Sequence, residues 1–274
     1  MKNQGFIKNS AHPSTSGNVM VIILIMIALL AAVTITITRM GDNTTEVSQE
    51  EASVIASQVL RQAKTMANAV DGLVAKGCSI TQLSFDNSTF TGYTNAQSPS
   101  DKSCWLFDAS GAGLSFPMPP KFANDGTEWM FIRHNNVGGV GTERETGIAC
   151  TSACEDLLMV LPFTDVNVCK AINLSAGVTT SFSTAPPQNA GTGGIDLSLK
   201  FYAPSTAQSS HNYSHWTSSQ AGFSIKTSVT PLNTNALWDK KTGCVEATSG
   251  YKDTSAVDQA GTGKYFFYHV LVER

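Results

Sequence analysis

The chain has 274 residues, 14% of them charged, with a net charge of −3. That length holds a membrane segment plus one good-sized domain or two small ones. The mild acidity, with no basic run and no basic helix face, argues against a nucleic-acid partner. Ser, Thr, Gly and Asn are frequent, a mix common in β-rich extracytoplasmic domains.

Residues 1–17 read MKNQGFIKNSAHPSTSG. They carry Lys2 and Lys8, no acid, and end in a breaker cluster. Val19 to Ile37 then reads VMVIILIMIALLAAVTITI, nineteen uncharged residues. As a helix this run is roughly 28 Å long, enough to cross the hydrocarbon of a bilayer. Basic residues before it and Asp42, Glu46, Glu50 and Glu51 after it predict a cytoplasmic N-terminus and an outer C-terminus. A cleaved secretory signal ending near Ala31-Ala32 is the alternative. The apolar run is long for such a signal.

From Thr44, apolar residues recur at Val47, Ile55, Val59, Met66, Val70 and Leu73 or Val74. These spacings lay one apolar stripe on a helix, and Gly77 is placed to end it. No proline interrupts residues 18–76. One helix of about 59 residues, near 88 Å, is therefore the expectation, with its first half in lipid and its second half against a globular domain. Two helices separated at Gly41-Asp42-Asn43 would change the shape but keep the topology.

Beyond Cys78 the helical period disappears and turn signals crowd in. Ile195 to Tyr202 and Phe223 to Val229 alternate apolar with polar residues, as strands with one wet face do. Trp129 to Arg133 and Leu157 to Leu161 are shorter strand candidates, and Tyr265 to Val272 reads as a well-buried last strand. The expected fold is α+β: a long N-terminal helix packed on an antiparallel sheet. The expected divisions are a leader at 1–17, the helix at 18–76 and a β-rich ectodomain at 77–274.

All six cysteines, Cys78, Cys104, Cys150, Cys154, Cys169 and Cys244, follow the apolar run. An even count on a translocated domain points to disulfides. The paired CxxC spacing of a structural metal site is absent, and no motif calls for a cofactor. His211 and His215 are four apart, as metal ligands on a helix would be, but their Ser-rich surroundings read as a polar loop that also holds Tyr213 and Trp216. Gly138, Gly139 and Gly141 lack the Gly-Lys-Ser/Thr of a phosphate loop. No GxSxG elbow marks a nucleophile, so no catalytic residue is assigned and an enzyme is not expected. The triplets at Asn43, Asn87, Asn173 and Asn212 match the glycosylation pattern by chance.

A short basic leader ending in Gly17, an apolar helix continuing as an amphipathic one, and a cysteine-containing β domain together resemble type IV pilins and the pseudopilins of type II secretion. The resemblance implies that a prepilin peptidase cuts after Gly17, so the mature chain begins at Asn18. It also implies that the N-terminal helices of several pilin-like subunits bundle in a filament based at a bacterial inner membrane. The chain would then be single-pass, with its C-terminal domain periplasmic or extracellular. In Leu157 to Ile172, LLMVLPFTDVNVCKAI resembles the type IVb pilin pattern, and that likeness implies a Cys169–Cys244 bond. Most major pilins carry a glutamate at the fifth mature position, which here is Ile22. A buried carboxylate in lipid is costly unless paired, and a subunit without one needs no amine partner. The resemblance thus implies a minor or tip-like subunit. The other expectation is a membrane-anchored extracytoplasmic binding or adhesion protein that forms no filament.

Overall fold

The computed structural model describes residues 21–29, 47–135, 137, 140–141, 156–188, 195–197, 200–202, 236–247, 250–255 and 257–273. The chain divides into two compact units, Met1–Glu46 and Val47–Arg274. In the first unit, residues 21–29 are helical.

The second unit opens with α1, Gln49–Ala75. Its stripe is the one the sequence predicts: Ile55, Val59, Met66, Val70 and Leu73 are buried, with Ala52, Ala56, Ala63 and Ala67 filling the rows between them. Val74 lies on the exposed side, at 41%. Gly77 ends the helix with a φ of 101°. There the Cys78 amide donates to the Leu73 carbonyl and the Gly77 amide to the Val74 carbonyl, a left-handed cap for which glycine is the favoured residue.

The start of α1 corrects the expected helix over 18–76. Ser48 has an extended backbone (φ −61°, ψ 160°) and its Oγ accepts from the Glu51 amide. A residue in that conformation cannot continue a helix from the N-terminal side, so α1 is a separate helix of 27 residues. The membrane expectation is corrected with it. Among the described residues no helix is long and apolar enough to cross a membrane. The membrane-spanning first half and the single-pass inner-membrane placement are therefore not supported.

The architecture is α+β. The larger sheet contains β1 (Met130–Asn135), β2 (Asp156–Thr164), β4 (Phe201–Tyr202), β5 (Thr242–Glu246) and β8 (Tyr265–Val272), in the order β4-β1-β2-β8-β5. The β1–β2, β2–β8 and β8–β5 pairs are antiparallel, and β4 runs parallel to β1. A smaller sheet joins β3 (Ile195–Asp196), β6 (Tyr251–Lys252) and β7 (Asp258–Gln259). The strand expected over Ile195 to Tyr202 is thus two short strands in different sheets. Lys200 lies between them, and its Nζ reaches Glu128 at 3.1 Å while facing the rings of Phe90 and Tyr93. The Phe131 amide donates to the Lys200 carbonyl at 3.0 Å, which joins the chain to β1 at the start of β4. The strand expected over Phe223 to Val229 lies outside the described residues.

β2 and β8 are buried on both faces. Leu157, Met159, Leu161, Phe267 and Leu271 join the core against α1. Leu158, Val160, Phe266, Tyr268 and Val270 join a second core with Val178, Leu197 and Leu237. This two-sided burial explains why both strands read as continuous apolar runs and not as alternating ones. Ahead of β1, an irregular stretch closes the first core at one end, with Phe85 stacked on Phe131 at 3.8 Å and the Tyr93 hydroxyl donating to the Trp129 carbonyl at 2.6 Å.

Replacing Ser48 with Ala removes the cap and should cost about 1 kcal/mol. For a unit of this size that is a fall of about 2–4 °C in Tm. An unchanged Tm in thermal unfolding would contradict a helix that begins at Ser48.

Candidate functional site

Two features stand out, one in each unit. In the first, the helix at residues 21–29 presents Val21, Ile22, Ile23, Leu24, Ile25, Met26, Ile27 and Leu29 bare, each 50–64% exposed. A run this apolar has no polar face to turn to water. Exposed apolar surface of this kind marks an interaction site. Burying these eight side chains would release on the order of 10 kcal/mol. The processing residues Gly17 and Asn18 lie outside the described residues.

In the second unit, a covalent and hydrogen-bonded clasp closes the β5 edge of the larger sheet. It is built on α2, Val166–Ser175, whose N-cap Asp165 accepts from the Asn167 and Val168 amides. Cys169 on α2 is bonded to Cys244 in β5, across 75 residues of sequence. This is the pair the pilin resemblance implies. One helical turn beyond Cys169, Asn173 points at the same strand residue. Its Nδ2 donates to the Cys244 carbonyl and its Oδ1 accepts from the Cys244 amide, both at 2.8 Å. Cys169, Asn173 and Cys244 are all fully buried.

Asn173 therefore does for Cys244 what a neighbouring strand would do, since a primary amide offers the same donor and acceptor as a peptide group. Two residues on, the Glu246 amide donates to the Pro187 carbonyl at 2.8 Å. The outward main-chain groups of β5 are thus engaged over Cys244 to Glu246, and an edge that could recruit another strand is closed there. Burial also removes Asn173 from the glycosylation candidates. Closing a loop of this length is worth roughly 4–5 kcal/mol through the unfolded chain.

The second described bond, Cys78–Cys104, ties the end of α1 to the irregular stretch before β1. Cys150 and Cys154 lie outside the described residues, as do His211, Tyr213, His215, Trp216 and the first two glycines of the Gly138–Gly141 run. Among the described residues no group of three or more His, Cys, Asp or Glu could hold a metal ion. Burial drives the phenols of Tyr93 and Tyr268 far above their usual range. Both donate to main-chain carbonyls, of Trp129 and Lys240, which suits packing better than proton transfer.

The sequence names the two cysteines of the clasp but does not single out Asn173. The signal available for it is its spacing, four residues after Cys169 on one short helix. No family model, curated protein or solved structure matches the chain.

Asn173→Ala should leave two buried main-chain groups of Cys244 without partners and lower the unfolding free energy by about 2–4 kcal/mol. Denaturant unfolding with both disulfides intact reads this as a lower midpoint. A midpoint equal to wild type would remove Asn173 from the clasp.

Proposed function

We propose that this chain is a structural subunit of a filament of the type IV pilus or type II secretion kind. It is processed after Gly17 by a prepilin peptidase and joined to other pilin-like subunits through its apolar N-terminal helix. The observation that carries the reading is the bare helix at residues 21–29, placed four residues after Gly17. Its apolar surface runs all round and so suits burial among several helices better than docking on one face. The reading rests on side-chain burial between subunits, not on a span across a bilayer.

The folded unit supports the same reading. An amphipathic helix on an antiparallel sheet, with Cys169 joined to Cys244, is the body that the resemblance to pilins implies. Such a body resists unfolding through its disulfides and its closed edge, while the N-terminal segment does the joining. Ile22 at the fifth mature position, where a glutamate is usual in major subunits, makes this a minor or tip-like member. Its function is mechanical, and no reaction is assigned to it.

The test is Ile25→Lys, a charge in the middle of the bare helix. A desolvated lysine among packed helices is strongly unfavourable. The expected result is loss of the chain from the assembled, high-mass fraction of cells that make its partners. In the full-length variant, the disulfides and the thermal unfolding of the Val47–Arg274 unit should stay as in wild type. Assembly at the wild-type level would overturn the reading.

A further inference from the structure

Proline sets the backbone of one outer stretch of the folded unit. Residues 115–121 read SFPMPPK and hold Pro117, Pro119 and Pro120. A proline ring fixes φ at about −65°, and a residue that precedes a proline is pushed to an extended backbone. Phe116, Met118 and Pro119 each precede one. These sterics make the stretch a polyproline II segment, with three residues per turn and no internal hydrogen bonds. Residues 113–120 accordingly belong to no helix, strand or turn. Exposure follows the same period: Ser115, Met118 and Lys121 are exposed, and the residues between them are half-buried.

The segment is held firmly in place. Phe116 turns inward onto Phe107, Phe90 and Tyr93, with ring centres 5.0, 5.2 and 5.4 Å away. Gln62 of α1 donates from Nε2 to the Met118 carbonyl at 2.9 Å. The Ala123 amide donates to the Pro120 carbonyl, and the Ala123 carbonyl accepts from the Asp165 amide, both at 2.9 Å. Inside that last turn Phe122 is kept exposed with a φ of 66°, a left-handed backbone that a bulky residue seldom takes.

The outer side is left with unmet groups. Met118 is 55% exposed. Among the described residues no carboxylate pairs with Lys121, whose Nζ stands 4.6 Å from the centre of the Phe122 ring. Among the same residues the carbonyls of Pro117 and Pro119 accept no hydrogen bond.

We infer that residues 115–122 form a preformed docking ridge for a partner protein whose groove is lined by Trp or Tyr and carries a carboxylate. Polyproline segments dock in aromatic-lined grooves. Indole N–H and phenol O–H groups of such a groove donate to the Pro117 and Pro119 carbonyls. The carboxylate meets Lys121, and Met118 and Phe122 add apolar area. Because proline and the inward contacts already fix the backbone, little further ordering is lost on binding. A lipid surface would accept Met118 and Phe122 but offers no fixed donors for carbonyls two residues apart, so the ridge suits a protein better. It lies in the folded unit and does not rest on the filament reading.

Photocrosslinking with the full chain, in cells that make it, tests the ridge. p-Benzoylphenylalanine replaces Met118 and, in a separate control chain, Val257, which is 53% exposed between β6 and β7. The probe at 118 should join a second protein through a peptide that contains Trp or Tyr, and the probe at 257 should not join that protein. Pro117→Ala combined with Pro120→Ala should cut the adduct at 118 on the order of tenfold, since the backbone must then be ordered on binding. Lys121→Glu leaves the ridge and its thermal unfolding as in wild type, and should cut the adduct by a similar factor through repulsion from the partner's carboxylate. An adduct yield unchanged in Lys121→Glu overturns the ridge. So do an adduct to lipid, to a second copy of this chain or to a peptide without Trp or Tyr, and the absence of any protein adduct.

Discussion

The antiparallel pairing of β2 with β8 is buried on both faces, and the other elements of the folded unit are placed by it. Leu157, Met159 and Leu161 on one strand and Phe267 and Leu271 on the other set one core, which α1 covers with its Ala-rich apolar stripe. The alternate residues of the same strands set the second core. With both faces committed, the edges are what remain to be closed. On one side β4 is only two residues long. On the other, α2 brings Cys169 and Asn173 to Cys244, one by a covalent bond and one by a pair of hydrogen bonds. The disulfide acts mainly on the unfolded chain, whereas Asn173 acts on the folded one by satisfying buried main-chain groups. The two devices are complementary and sit one helical turn apart.

Much of this was readable from residue order where a single local rule decides the outcome. The stripe Ile55, Val59, Met66, Val70 and Leu73 and the stop at Gly77 define α1 because helical period and left-handed backbone are local properties. Leu157 to Leu161 and Tyr265 to Val272 are strands because β-branched and aromatic runs between turns have few other stable forms. The joint before α1 departs from the expectation. The absence of proline permits a continuous helix from residue 18, but Ser48 can capture the Glu51 amide and begin a new one. A cap and a mid-helix serine look alike in a sequence until the backbone is known. Ile195 to Tyr202 departs from the expectation for a different reason. Its alternation suits one strand, but its two ends pair with different partners distant in sequence, Ile195–Asp196 with β6 and Phe201–Tyr202 with β1. The Cys169–Cys244 bond came from a resemblance, since six cysteines admit fifteen pairings. Asn173 shares a helix face with Cys169 by its four-residue spacing, but that spacing does not say that its amide meets the main chain of Cys244.

The two units pose opposite physical problems. Among its described residues, the Val47–Arg274 unit buries two apolar cores within itself and closes the β5 edge over Cys244 to Glu246. The helix at residues 21–29 does neither: its large side chains are all at least half exposed. In the filament reading the second property explains the first. A subunit held by neighbours through one apolar segment needs a body that does not add strands to other bodies, and the clasp on β5 prevents this over Cys244 to Glu246. Ile22, in place of an acid, lets that segment be buried with no charge to neutralise.

The most direct measurement of the central claim is the N-terminal residue and intact mass of the protein isolated from cells that make it from Met1. The filament reading predicts Asn18 as the first residue, with a mass lower by the seventeen residues that end at Gly17. A chain that still begins at Met1, or one that begins beyond Ala32, would contradict it.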